Sequence, residues 1–94
     1  MIASFASEET QKIFLGRTST KLPGDIQHTA LRNLLFLDDA EDLQDLQAPP
    51  GNRFEKLTGD RDEQYSIRIT NQWRICFDWI GGNAVDVEIV DYHK

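Results

Sequence analysis

The sequence contains a single cysteine, Cys76, so no disulfide can form within its 94 residues. A lone thiol is typical of proteins in the reducing cytoplasm, and we expect a cytoplasmic location. Cys76 lies in an apolar segment with strand-like alternation. Inert packing is therefore the simpler interpretation of its thiol.

Long apolar runs are also missing, because none approaches the roughly 20 residues that span a bilayer. The first five residues, MIASF, lack the basic and apolar regions of a secretory signal. We expect no membrane partner and a single domain over residues 1–94.

Metal-binding and nucleotide-binding motifs are absent. The two histidines, His28 and His93, are far apart and belong to no ligand-spaced cluster. No glycine-rich loop precedes the Lys-Ser/Thr pair that a phosphate-binding loop needs. We therefore expect neither a metal nor a cofactor.

Positive charge is scarce, with 10 basic and 16 acidic side chains and a net charge of −6. This balance argues against a protein that coats nucleic-acid backbones, where affinity comes largely from Lys and Arg. Much of the imbalance comes from five acidic residues that we interpret as a solvated edge: Asp38, Asp39, Glu41, Asp42 and Asp45.

The first half of the chain predicts two helices after a short strand at residues 1–5. Ser7 is a suitable N-cap for the first helix, which Gly16 would end. Pro23 and Gly24 would open the second. This second helix carries an apolar stripe that could cover a sheet, formed by Ile26, Ala30, Leu34 and Leu37.

After residue 51 the apolar period changes to two, which predicts strands and a hairpin at residues 81–83. We expect an α+β fold in which both helices pack on one face of a twisted, mainly antiparallel sheet. The predicted sheet core consists of Ile67, Trp73, Ile75, Phe77, Val85, Val87 and Ile89. Arg68 and Arg74 would then lie on the opposite, open face.

A group of polar residues in the second half suits RNA cleavage: Arg68, Arg74, Tyr92 and His93, with Arg61 and Asp91 nearby. RNA can be cut when its own 2′-hydroxyl attacks the adjacent phosphate. This reaction needs a base, an acid and cations for the phosphoryl oxygens. Arginine can hold two phosphate oxygens, histidine carries protons near neutral pH, and tyrosine can stack on a base.

A structural interpretation of the same residues remains open. Arg68 and Arg74 share their predicted face with Asp86 and Glu88, and cross-strand ion pairs would explain all four.

Four segments in register resemble the HigB-type toxins, or plasmid-maintenance killer proteins, of the RelE/ParE superfamily. They are residues 57–61 (LTGDR), 64–69 (QYSIRI), 72–77 (QWRICF) and 87–93 (VEIVDYH). The resemblance implies a RelE-like fold and a metal-independent endoribonuclease that cleaves mRNA on the ribosome. It also implies a HigA-type helix-turn-helix antitoxin as partner, with operator DNA contacted only through that antitoxin.

The resemblance also implies which residues form the site. Arg68, Arg74, Asp91, Tyr92 and His93 would be catalytic. Where many relatives have lysine before the Gly-Asp-Arg turn, this chain has Thr58, and Lys56 could substitute for that lysine. The residues expected to bind RNA are Lys56, Arg61 and Gln72.

Two other functions fit the same resemblance. The ParE branch shares the fold but blocks DNA gyrase without cutting RNA. A weakened relative would act mainly as antitoxin partner and co-repressor. The Asp91-Tyr92-His93 sequence favours the nuclease.

Overall fold

A computed structural model of the chain describes residues 1–47, 50–57 and 64–91. Helix α1 spans Glu8–Phe14, and the Ser7 side chain accepts a hydrogen bond from the Thr10 amide at 3.3 Å. Gly16 follows the helix with φ of +80° and donates its amide hydrogen to the Ile13 carbonyl. The left-handed conformation suits glycine, and both predicted ends of α1 are confirmed.

Helix α2 spans Gly24–Asp39, directly after Pro23. Its predicted stripe is confirmed, because Ile26, Ala30, Leu34 and Leu37 are all buried. Two short 3-10 helices follow, at Leu43–Gln47 and Pro50–Asn52.

Part of the acidic group, at the junction of α2 and the first 3-10 helix, has a capping role. The carboxylate of Asp45 accepts from the Glu41 amide at 2.9 Å, and that of Asp42 accepts from the Gln44 amide at 2.9 Å. These carboxylates satisfy backbone donors that the turn leaves without helical partners.

Within the described ranges the strands are β1 (Glu55–Lys56), β2 (Gln64–Arg68), β3 (Trp73–Ile80) and β4 (Asn83–Asp91). They form one sheet in the order β1-β2-β3-β4, and every neighbouring pair is antiparallel. The predicted first strand exists only as two parallel bridges to β4, Ile2 to Ala84 and Phe5 to Val87. No helix in the described ranges is long and apolar enough to cross a membrane.

The helices and the sheet share one hydrophobic core, which confirms the predicted α+β arrangement. Phe77, Ile67 and Ile75 from the sheet are fully buried with Leu34 and Leu37 from α2. Trp73 packs at the edge of this core and is only partly buried.

The prediction that Val85 belongs to the core is wrong. Phe77 lies between Cys76, which pairs with Glu88, and Asp78, which pairs with Val85, so β4 contains one extra residue there. Asp86 takes φ of +53° at this β-bulge. A bulge reverses the alternation of side chains beyond it, so Ala84 takes the buried position instead.

Candidate functional site

Arg68 and Arg74 lie directly opposite one another on β2 and β3. The next pair along the ladder is hydrogen-bonded, since the Ile69 amide donates to the Trp73 carbonyl at 2.9 Å. Arg68 and Arg74 therefore form a pair without mutual backbone hydrogen bonds, the kind in which opposed Cα atoms are about 4.5 Å apart. Both side chains extend from the sheet face opposite the helices, as expected.

The alternation in the sequence predicted that Arg74 is exposed on an open face, but its side chain is buried. Only 7% of its surface is accessible. Its Nε donates to the Ser66 hydroxyl at 2.8 Å, and Nη2 donates to the Arg53 carbonyl at 2.5 Å. The segment after the second 3-10 helix brings that carbonyl to the sheet, with Arg53 at φ of +46°. These contacts hold the guanidinium in one orientation.

Arg68 is more accessible than Arg74, and its guanidinium donates to the side-chain oxygen of Asn71 in the following turn. Its backbone carbonyl points to the outer edge of β2, beyond the end of the two-residue strand β1. There it accepts a hydrogen bond from Nδ2 of Asn33, on α2, at 2.8 Å. Helix α2 thus fixes the end of β2 where Arg68 lies.

The cross-strand ion pairs considered above do not form among the residues described. Asp86 lies in the bulge, where its amide donates to the Ser4 hydroxyl at 2.9 Å. Glu88 is opposite Cys76. Neither carboxylate forms an ion pair with Arg68 or Arg74; an ion pair that does form joins Lys12 to Glu9 at 3.0 Å.

Gln72 and Asp91 contact one another at the end of the sheet where Arg74 lies, but Asp91 belongs by register to the helix-covered face and not to the face of the two arginines. The Gln72 side-chain amide donates to the Asp91 carboxylate at 3.1 Å. Asp91 is the last residue of β4 and lies opposite Trp73, the neighbour of Arg74. The predicted residues Tyr92 and His93 follow Asp91 but lie outside the described ranges, as do Thr58 and Arg61.

Lys56 is exposed on β1, and the register does not bring it to the two arginines. It pairs with Tyr65, whose ring stacks on Phe77 with centroids 6.1 Å apart. Lys56 therefore belongs by register to the helix-covered face, and its neighbour Glu55 shares a face with Ser66.

The described part of the site has the groups for binding an anion, because the guanidinium groups of Arg68 and Arg74 lie on facing positions of two strands. The predicted proton carrier, His93, lies outside the described residues. Cys76 is buried, with 1% of its surface accessible. In residues 1–47, 50–57 and 64–91, no group of three or more His, Cys, Asp or Glu side chains could hold a metal ion.

Two supporting residues, Ser66 and Asn33, were missed in the sequence. Asn33 had a signal, because it falls in the apolar stripe of α2, three residues after Ala30 and four before Leu37. A polar side chain on a buried stripe needs a hydrogen-bond partner. No signal in the sequence marked Ser66, since a serine facing away from the predicted core looks like an ordinary surface residue.

Over the described residues, two helices pack on one face of a four-stranded antiparallel sheet and paired arginines lie on the other, an arrangement consistent with a RelE-like fold. Residues 3–93 match the family described as the RelE-like toxin of type II toxin-antitoxin system HigB. The match covers nearly the whole chain, so the protein belongs to the HigB-like toxin family.

Two named relatives agree with this assignment, and a third relative has no functional name. Toxin HigB-1 of Vibrio cholerae serotype O1 is 41% identical over 73 residues, which cover 78% of this chain and 76% of the relative. Endoribonuclease HigB of Proteus vulgaris is 28% identical over 93 residues, covering 99% and 100% of the two chains. An uncharacterized protein of Haemophilus influenzae is 31% identical over 79 residues, covering 84% and 77%.

Proposed function

We propose that the chain is a ribosome-dependent endoribonuclease that cleaves mRNA without a metal ion and thereby inhibits translation. It acts in the cytoplasm and is neutralised by a HigA-type helix-turn-helix antitoxin, through which alone it contacts operator DNA. The endoribonuclease named in Proteus vulgaris supports this proposal, as does membership of the toxin family.

The observation that carries the proposal is the direct opposition of Arg68 and Arg74. Two guanidinium groups on facing positions can hold the oxygens of one phosphate from both strands, because arginine forms charge-assisted hydrogen bonds with phosphate oxygens. The arrangement therefore favours a phosphodiester as ligand.

In the proposed reaction, the 2′-oxygen of the RNA forms a new bond to phosphorus and the bond to the 5′-oxygen breaks. The products are a 2′,3′-cyclic phosphate and a free 5′-hydroxyl. Arg74 stabilises the charge that develops on the phosphoryl oxygens, and Ser66 and the Arg53 carbonyl fix its orientation beforehand. Arg68 binds the same phosphate from the opposite strand.

The proton transfers are assigned to residues that follow β4. A base removes the proton of the 2′-hydroxyl, and an acid protonates the departing 5′-oxygen. We propose that His93 exchanges one of these protons, and that Tyr92 stacks on a base or assists the transfer. Asp91 and Gln72 hold the start of this segment through their hydrogen bond. Lys56 and Arg61 would contact the RNA further from the cleaved bond.

Expression of the chain in bacteria, with and without its antitoxin, tests the proposal. We expect growth arrest that the antitoxin reverses, together with new message ends within codons of translated genes. Arrest with intact messages would instead indicate a ParE-like poison. Soluble expression without any growth effect would indicate the weakened relative that acts with its antitoxin as co-repressor.

A further inference from the structure

A small pocket lies between α2 and the second 3-10 helix, and the proposed reaction does not use it. It is lined by Arg32, Asn33, Phe36 and Asn52 and has a volume of about 260 Å³. Pockets for drug-sized ligands are typically about 300–1,000 Å³, so this one suits a group the size of a single base.

Asn52 supplies a buried amide nitrogen, Nδ2, that has no hydrogen-bond partner. Buried polar atoms are nearly always hydrogen-bonded, and an exception needs an explanation. An acceptor on a bound ligand would satisfy this donor. The carbonyl oxygens and ring nitrogens of nucleobases are acceptors of this kind.

Two further side chains match the other parts of a nucleotide. Phe36 is partly buried beside the core and contributes an aromatic ring to the wall of the pocket. Arg32 is exposed, and among the described residues it forms no ion pair in a chain of net charge −6. Unstacked RNA bases are typically bound by stacking on aromatic rings and by hydrogen bonds to their edges.

Through Asn33, the pocket is linked to the strand that carries Arg68. This residue lines the pocket, and its Nδ2 donates to the carbonyl of Arg68 at 2.8 Å. Arg68 therefore connects the lining of the pocket, through its backbone, to the proposed phosphate site, through its side chain. A nucleotide next to the cleaved phosphate could place its base in the pocket.

We infer that the pocket formed by Arg32, Asn33, Phe36 and Asn52 binds one base of the message, next to the phosphate held by Arg68 and Arg74. The inference rests on the proposed function for the identity of RNA as ligand. Phe36 stacks on the base, the Asn52 amide donates to its edge, and Arg32 pairs with a backbone phosphate.

Titration of the free protein with nucleoside 5′-monophosphates, followed by NMR, tests the pocket without relying on cleavage. We expect shifts of the Asn52 side-chain amide and the Phe36 ring. Ribose 5-phosphate should not reproduce them; if it does, the pocket recognises phosphate and the inference fails. Absence of any shift at these two residues up to millimolar nucleotide also overturns it.

Asn52→Leu separates a ligand-binding role from a structural one. Because it removes an unpartnered buried donor, we expect a melting temperature equal to or above that of the wild type. Nucleotide-induced shifts of Phe36 should nevertheless be lost. A lower melting temperature with unchanged nucleotide binding would show that Asn52 is structural.

Arg32→Ala completes the test on translating ribosomes, with Arg17→Ala as control because Arg17 is also exposed and lies outside the pocket. We expect Arg32→Ala and Asn52→Leu to raise KM about fivefold, the size expected for loss of one hydrogen bond, and to change kcat little. Equal kinetics for Arg32→Ala and Arg17→Ala would contradict the inference. If the wild type binds nucleotides but cleaves no message, the proposed function fails and the pocket remains.

Discussion

The side chain of Arg74 donates a hydrogen bond to Ser66 across 2.8 Å, and both residues are buried in the sheet. This contact makes the stability of the fold and the geometry of the candidate site depend on the same pair. A buried guanidinium that loses a partner keeps its desolvation cost, so substitutions around Arg74 affect folding as well as activity.

We expect Ser66→Ala to lower the free energy of unfolding by about 1.5–3 kcal/mol, because a hydrogen bond to a charged group is lost. Urea denaturation measures the change. Thr20→Ala, which removes a hydroxyl at an exposed position, is the control and should be nearly neutral. Equal stability of Ser66→Ala and the control would mean that the Arg74–Ser66 contact contributes nothing.

Phe77→Ala should lower the free energy of unfolding by about 3–5 kcal/mol, since it removes a fully buried aromatic side chain beneath α2. Ile80→Ala on the same strand is the control, because 62% of Ile80 is accessible. Thermal unfolding of both variants checks the assignment of core and surface. A Phe77→Ala protein that melts like the control would contradict the described strand faces.

The bulge in β4 predicts an unusual preference at residue 86. Asp86 has φ of +53°, where β-branched side chains are strained. We therefore expect Asp86→Val to lower the free energy of unfolding by about 1–2 kcal/mol. Asp86→Gly should be close to neutral, because glycine adopts this conformation freely. Glu88→Val, on the regular part of the strand, is the control. Stabilisation by Asp86→Val, measured in urea, would argue against the bulge.

Glu9 provides a test of pH dependence. The Ser19 hydroxyl donates to its carboxylate at 2.6 Å and Lys12 at 3.0 Å, and these contacts lower the pKa of Glu9. A lowered pKa in the folded state stabilises the protein above the unfolded value, and this contribution is lost as the pH falls through the folded pKa. Ser19→Ala should therefore raise the pKa of Glu9, whereas Thr18→Ala should not. A carboxyl NMR titration that shows no change for Ser19→Ala would refute the assigned cause.

Local patterns predicted much of this fold, and non-local contacts account for what they missed. The N-cap at Ser7 and the stripe through Leu34 depend on near neighbours, so the helices could be predicted well. Alternation placed Phe77 correctly but could not reveal the extra residue at Asp86, because the residues around it still alternate in polarity.

The candidate site shows the same limit. That Arg68 and Arg74 share a face follows from the turn between their strands. The burial of Arg74 depends on the carbonyl of Arg53, 21 residues earlier in the chain, and no periodicity encodes that approach. The roles of Tyr92 and His93 remain predictions from the family resemblance.

Cleavage of a defined message on purified translating ribosomes tests the central claim most directly. The variants to compare are Arg68→Ala, which removes the more accessible arginine, and Arg17→Ala as an exposed control. We predict that the wild type and Arg17→Ala cut the message within codons, also in the presence of a chelator that spares the ribosome's own magnesium. The Arg68→Ala protein, with an unchanged melting temperature, should cut at least about tenfold more slowly, as expected when one transition-state contact of at least about 1.4 kcal/mol is removed. An intact message with the wild type, or full cleavage by a folded Arg68→Ala protein, would contradict the account.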